Sequence, residues 1–442
     1  MLKKIAYSFG AASSAIAYQS FSVFVIFFYV DVMKLPVYYA GVGMLIFAFW
    51  NAVNDPIIGF LSDNTRSHFG RRIPYLIFGA LPLVIVYCLI WTPPFNGINQ
   101  EVQLFAYFLA VIFIFDALYS IVNLNWAALF PEMFFSLKER ASVNAFRQSL
   151  GIFGLLIGVV IPPLIYSSLG WGWMGGILGS IIFLTLFIAI LGSHERPELA
   201  KDKRLRFPQA LRATLENRSF MTLVLANLFI QFSFTMVLAM IPFFAKYVLA
   251  VPSVSITYIL AIAFLTVIPM LFVWQKIALL FGAKKCFLSA MVVVIVALVP
   301  LLVVSEFNKI LLVSSLLGAG LAGLILVVDL LIADVIDEDE IKTGERREGM
   351  FYGMNAFITR FAIGMETFCI SWVFMASGYN PYVYTQPADF ISGVRVLIAA
   401  LPIAALLVSF LIMFLYPLAG KNLGEMKEEL AVVHKGKGII EN

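Results

Sequence analysis

Charge is scarce in this chain. Asp, Glu, Lys and Arg make up 13% of its 442 residues, while 62% are hydrophobic. A soluble surface draws on roughly a quarter of its residues being charged, so a soluble globular protein of this length is excluded. Cysteine and histidine are as sparse, with three of each. Cys88, Cys286 and Cys369 stand at unrelated spacings in or beside apolar segments, which predicts neither a disulfide framework nor a metal site. His68, His194 and His434 fall in polar connections, so no histidine relay runs through an apolar segment. No Gly-x-x-x-x-Gly-Lys-Ser/Thr loop is present to cradle a nucleotide phosphate, and no His-Glu-x-x-His motif to hold a catalytic metal. Neither an enzyme activity nor a cofactor is expected.

Apolar residues take the place of charge. Twelve segments reach the roughly 20 residues that a bilayer-spanning helix needs. They lie near 5–30, 38–61, 73–93, 102–130, 141–168, 173–193, 219–247, 253–275, 286–305, 309–333, 351–377 and 391–417. With both termini inside, 24 of the 30 Lys and Arg residues fall in cytoplasmic segments and three, Lys34, Lys246 and Lys309, fall outside. That asymmetry predicts a multi-pass protein of the cell membrane with cytoplasmic ends. The net charge of +4 reflects this topology and does not point to nucleic acid. Lys3 and Lys4 before Ala15-Ile16-Ala17 resemble a signal peptide, but the apolar run continues to Val30, too long for one. The charged stretch 194–218 divides the chain into six-helix bundles at 1–193 and 219–418, with a cytoplasmic tail at 419–442. Asn144-Ala145-Phe146-Arg147 and Asn355-Ala356-Phe357 with Arg360 occupy matching places in the two halves. Such an internal echo is expected of transporters built from repeated bundles and predicts the all-α major facilitator fold.

Polar groups inside the apolar segments mark candidate sites, because ionisable groups there are costly and tend to line pathways. Asn51, Asn54 and Asp55 are spaced i, i+3 and i+4 and share one helix face. Asp55 and Arg147 each lie about 9 Å from the cytoplasmic edge at 1.5 Å per residue, which makes them a plausible ion pair. Segment four offers Asp116, Tyr119, Asn123 and Trp126. A ring beside amides suits a sugar, which stacks its C–H face and hydrogen-bonds its hydroxyls. Tyr18, on a face with Ser14 and Ser22, adds to this solute-binding set. Arg360 lies deeper than Arg147, with Asp329 as a possible partner. Asp63, Arg66, Arg71 and Arg72 cluster after segment two, and Asp337 and Arg346 follow segment ten. Charge-assisted contacts among such groups are expected to act as a cytoplasmic gate.

The motifs resemble a known family. Asn54-Asp55-Pro56 with Gly59, Arg66, Gly70 and Arg71 is similar to the second-helix signature of the glycoside–pentoside–hexuronide:cation symporters. Asp334-Val335-Ile336-Asp337, Lys342-Thr343-Gly344, Arg346-Arg347-Glu348-Gly349 and Tyr352-Gly353 resemble the family's loop between helices ten and eleven. Trp126 to Glu132, with Arg140, resembles the region after helix four. The resemblance implies that Asp55, with Asn51 and Asn54 near it, binds the coupling cation, H⁺ or Na⁺. It also implies that Arg147 lies near a sugar and that Arg360 takes the place of a helix-eleven lysine. Asn51 stands where the family has a second carboxylate, Ala15 where it has a galactoside-binding aspartate. The family's helix-four aspartate and tryptophan fall near Asn123 and Ala127. Cation-coupled symport of a sugar or glycoside by a monomer in the bilayer is the function this implies, and a lysolipid carrier of the same fold is the alternative.

Overall fold

The computed structural model describes residues 2–65, 70, 72–134, 137–194, 216–343, 348–383 and 385–436. Among the described residues there is no strand, and twelve helices are long and apolar enough to cross a membrane. Helix α1 is Leu2–Val32, α2 Val37–Asn64, α3 Ile73–Ile90 and α4 Glu101–Met133. Helix α5, Leu137–Val160, is carried on past Ile161 by Pro162–Ser168, and α6 is Trp171–Gly192. Then come α7 Arg218–Val248, α8 Val254–Phe281, α9 Ala283–Leu302, α10 Phe307–Thr343, α11 Glu348–Ala376 and α12 Ala388–Phe414. A last helix, α13, is Lys421–Gly436.

Most of these helices are apolar on every side, as helices with lipid on one flank and protein on the other must be. Phe49, Phe78 and Leu184 are exposed, while Phe21, Phe108 and Phe115 are buried. Small residues let helices approach closely where lipid gives no hydrophobic drive to associate. A Cβ at Gly154 would stand 2.6 Å from the Ala12 carbonyl oxygen, and one at Gly158 2.9 Å from that of Ile16, so α5 lies directly on the α1 backbone. Gly170 and Gly282 open α6 and α9 at φ +91° and +84°, left-handed values that glycine adopts without a Cβ penalty.

Contacts divide the chain into two compact units. One comprises Met1–Lys203, Leu238–Ala261 and Thr367–Gly393; the other comprises Arg204–Val237, Ile262–Glu366 and Val394–Asn442. In the first, α1 packs on α5 and α6, and α4 on α2 and α3. In the second, α9 packs on α10 and α12, and α13 on α10.

One expectation about the elements needs correction. Asp334 and Asp337 are not in a loop, because α10 continues to Thr343. The stretch after Ala333 carries no glycine or proline before Gly344. It is closed by an i,i+4 pair, Lys342 Nζ to Glu338 Oε1 at 2.6 Å, so the helix has no reason to stop.

Helices α1 and α7 end alike. Phe27–Val32 and Phe244–Val248 are π-helical, with Met33 N–H donating to the Phe28 carbonyl (2.9 Å) and Leu249 N–H to that of Phe244 (3.0 Å). Each π turn is followed by a residue at positive φ, Lys34 at 64° and Ala250 at 50°. Each then reaches a proline, Pro36 and Pro252, at one constant offset of 216 residues.

Candidate functional site

The polar face of α2 meets a polar face of α4. Asn51 Nδ2 donates to Asp116 Oδ1 at 2.6 Å, and Asn54 Nδ2 donates to Asp116 Oδ2 at 3.0 Å. One helical turn on from Asp116, the Ser120 hydroxyl donates to Asp55 Oδ1 at 2.6 Å. Asn51, Asn54 and Asp116 are buried, and Asp55 is half-buried. Asn51 Oδ1 is buried and accepts no hydrogen bond from the described residues. Its orientation is fixed, because flipping the amide would press Oδ1 against the Asp116 carboxylate. The result is a cluster of hard oxygen donors, two of them carboxylates, between two spans. The second carboxylate was read from sequence as a solute-binding group, but the structure joins it to the two asparagines of α2.

A second cluster lies between α1 and α4. The Ser14 hydroxyl donates to Asn123 Oδ1 at 2.7 Å, and the Tyr18 and Tyr119 rings lie 5.4 Å apart. All four side chains are half-buried. Two rings and an amide thus share the boundary between α1 and α4.

Trp126 is placed differently from the expectation. One face stacks on Tyr7 at 5.2 Å and the Arg147 guanidinium covers a ring face at 4.6 Å. Its indole N–H donates to the Tyr7 carbonyl at 3.0 Å, and the Tyr7 hydroxyl returns a bond to the Trp126 carbonyl at 2.8 Å. Trp126 is thus buried packing between α1, α4 and α5. Arg147 also lies over Phe130 at 4.7 Å. Its expected ion pair with Asp55 is not found among the described residues: Asp55 accepts from Ser120, while Arg147 lies over the two rings.

In the second unit, Asn227 of α7 donates to Asn355 of α11 at 2.9 Å. Glu366 is buried on α11 with the Thr235 hydroxyl of α7 against it. Arg360 is half-buried, whereas Asp329, its suggested partner, is exposed. Of the gating set, Arg72 is buried at the start of α3 and Asp337 lies on α10. Asp334 pairs with Lys427 of α13 at 3.3 Å. Arg66, Arg71 and Arg346 lie outside the described residues, as does the Asp63 side chain.

Asp31 was missed. It is 3% exposed at the π-helical end of α1. Lys246 Nζ reaches its Oδ2 at 2.5 Å, the Tyr379 hydroxyl donates to its Oδ1 at 2.8 Å, and Tyr247 donates to the same oxygen. Burial, and then the Asp31 carboxylate, push the Tyr379 phenol well above its ordinary pKa, so it stays a donor. Lys34 nearby has its ammonium pKa lowered, chiefly by burial. A lone acid at a segment boundary carries no pattern of its own. The sequence signal was the shared Phe-Phe…Pro ending of the two segments.

Twelve spans around buried polar clusters of this kind define a membrane transporter of the major facilitator superfamily. The chain belongs to the MFS/sugar transport protein family, whose pattern matches residues 6–420; this is the melibiose-permease-like family. It is 26% identical to the uncharacterized symporter YnaJ of Bacillus subtilis, over 97% of this chain and 94% of that protein. It is 24% identical to a protein named sodium-dependent lysophosphatidylcholine symporter 1 of Gallus gallus, over 97% of this chain and 88% of that one. The crystal structure of a D-xylose-proton symporter shares the fold, with a TM-score of 0.65 at 16% identity over 95% of this chain and 98% of that one.

Proposed function

We propose that the protein is a symporter that couples a cation to a small polar solute, a sugar or glycoside, by alternating access across the cell membrane. The halves 1–193 and 219–418 are the moving bodies, working as a monomer with both termini in the cytoplasm. The observation that carries the reading is Asn51 Oδ1, a buried acceptor without a donor beside two carboxylates. Leaving such an acceptor unfilled costs about 1–3 kcal/mol, and a bound cation fills it. Na⁺ takes hard oxygen ligands of this kind. A cation satisfies Asn51 Oδ1 as it stands, whereas a proton on Asp116 would do so only after the Asn51 amide turned over, so Na⁺ is the favoured ion. In this reading Asp55, Asp116, Asn51, Asn54 and Ser120 hold the ion.

Ser14, Tyr18, Tyr119 and Asn123 form the solute wall. Two things support a sugar: this ring-and-amide wall and the family's description. A lysolipid is the second reading, favoured by the Gallus gallus relative's name, which supports Na⁺ as well.

Thermal unfolding of the purified protein in Na⁺ against choline tests the ion. Saturating Na⁺ should stabilise the wild type, by about 2.7 kcal/mol at a hundredfold excess over Kd. Asp55→Asn and Asp116→Asn should lose that gain, and a gain undiminished in Asp116→Asn would reject the site. A shift produced by pH without Na⁺ would assign H⁺ instead. Repeating the measurement with sugars, glycosides and lysophosphatidylcholine discriminates the solutes, since only the true one should add a Na⁺-dependent shift.

A further inference from the structure

We propose that Asp31 is the hub of a latch that closes one end of the transporter and must open for solute to pass there. The inference rests on the alternating-access reading but not on the identity of ion or solute. Its parts all belong to the first compact unit. A buried carboxylate persists only when its oxygens are filled, and the donors here come from two other places in the chain. Lys246 and Tyr247 are on the end of α7, and Tyr379 follows α11. Further contacts tie the same segments. Lys34 Nζ donates to the Pro381 carbonyl, the Tyr382 hydroxyl to that of Gly97 at 3.2 Å, and Phe27 meets Phe243 edge-on at 5.2 Å.

The backbone is shaped for this. A π turn holds one residue more than an α turn and re-aims the side chains that follow it. Asp31 and Tyr247 lie within the two π-helical ends and meet there. The Lys246 side chain remains 32% exposed, so its ammonium stays near water when the contact breaks. The fastening is polar, and polar partners exchange for water more readily than an apolar interlock comes apart.

Double electron–electron resonance on the full chain in nanodiscs tests the latch, with spin labels at Ile98 and Ala388, both exposed. Asp31→Asn should raise the ratio of longer to shorter label distances about tenfold, a shift of roughly 1.4 kcal/mol. Lys246→Met should act in the same direction, and Tyr379→Phe less strongly. Lys309→Met, which breaks an exposed Lys309–Glu306 pair, should change nothing. Distributions matching the wild type in both Asp31→Asn and Tyr379→Phe would overturn the proposal. If Asp31→Asn yields no folded protein, Tyr379→Phe decides alone, because it removes only a hydroxyl. Na⁺-dependent stabilisation, measured on the same variants, reports the α2–α4 site separately, so a failed latch and a failed cation site are told apart.

Discussion

A guanidinium inside a span is expensive, and Arg147 is kept there by ring faces. Its charge lies over Trp126 and Phe130, and Tyr7 stacks on Trp126. A cation held over desolvated rings gains up to about 2 kcal/mol. Lysine is a compact, strongly hydrated charge and cannot stack as a plane. Arg147→Lys should therefore cost about 1–2 kcal/mol in chemical unfolding, whatever it does to transport. An unchanged midpoint would show that the stack contributes nothing. The place of Arg147 along its own helix was legible, because rise per residue is fixed, but its azimuth was not. One sequence gives the face of a helix relative to itself, not relative to its neighbours. For the same reason Asn51, Asn54 and Asp55 could be grouped from their spacing, whereas Asp116, 61 residues beyond Asp55, could not be joined to them until α4 was in place.

Among the elements, helix existence was readable and helix endings were not. All twelve spans lie close to the apolar segments, since a bilayer demands length and apolarity above all. The endings depend on local chemistry that hydropathy ignores, such as the charged extension of α10 and the π turns of α1 and α7. Gly97 shows how tightly one ending is built. Its N–H donates to the Met33 carbonyl at 2.8 Å, and a Cβ there would collide with the Lys34 carbonyl oxygen. Backbone offers no rotamer to move aside. Gly97→Ala should thus cost about 3 kcal/mol, the upper end for overpacking, and loosen the residues around Lys34. Hydrogen exchange across 31–36 would register that loosening, and protection equal to the wild type would refute it. Helix α13 is held more lightly. Met426 and Leu430 are buried and Lys427, more than half exposed, reaches Asp334. Asp334 is itself buried, so Lys427→Ala leaves its carboxylate without that partner and should raise exchange in α13 and lower the unfolding midpoint.

For the whole molecule, the distribution of Lys and Arg makes a prediction of sidedness. A cysteine at position 309 should react with an impermeant maleimide on intact cells, and one at 421 only after permeabilisation, in a background where Cys88, Cys286 and Cys369 are serine. Labelling of 421 but not of 309 on intact cells would reverse the assigned orientation. The family was legible because its loop signatures are local in sequence. The solute was not, because the wall proposed for it is assembled from residues more than a hundred positions apart, such as Ser14 and Asn123. The matched endings of α1 and α7 bear on ancestry. If the two halves descend from one duplicated segment, Asp31 and Tyr247 descend from a single residue. Two identical copies would have set carboxylate against carboxylate, which repel, or phenol against phenol, with no charge to anchor Lys246. The present contact required the copies to diverge, so in ancestral reconstructions positions 31 and 247 should change together.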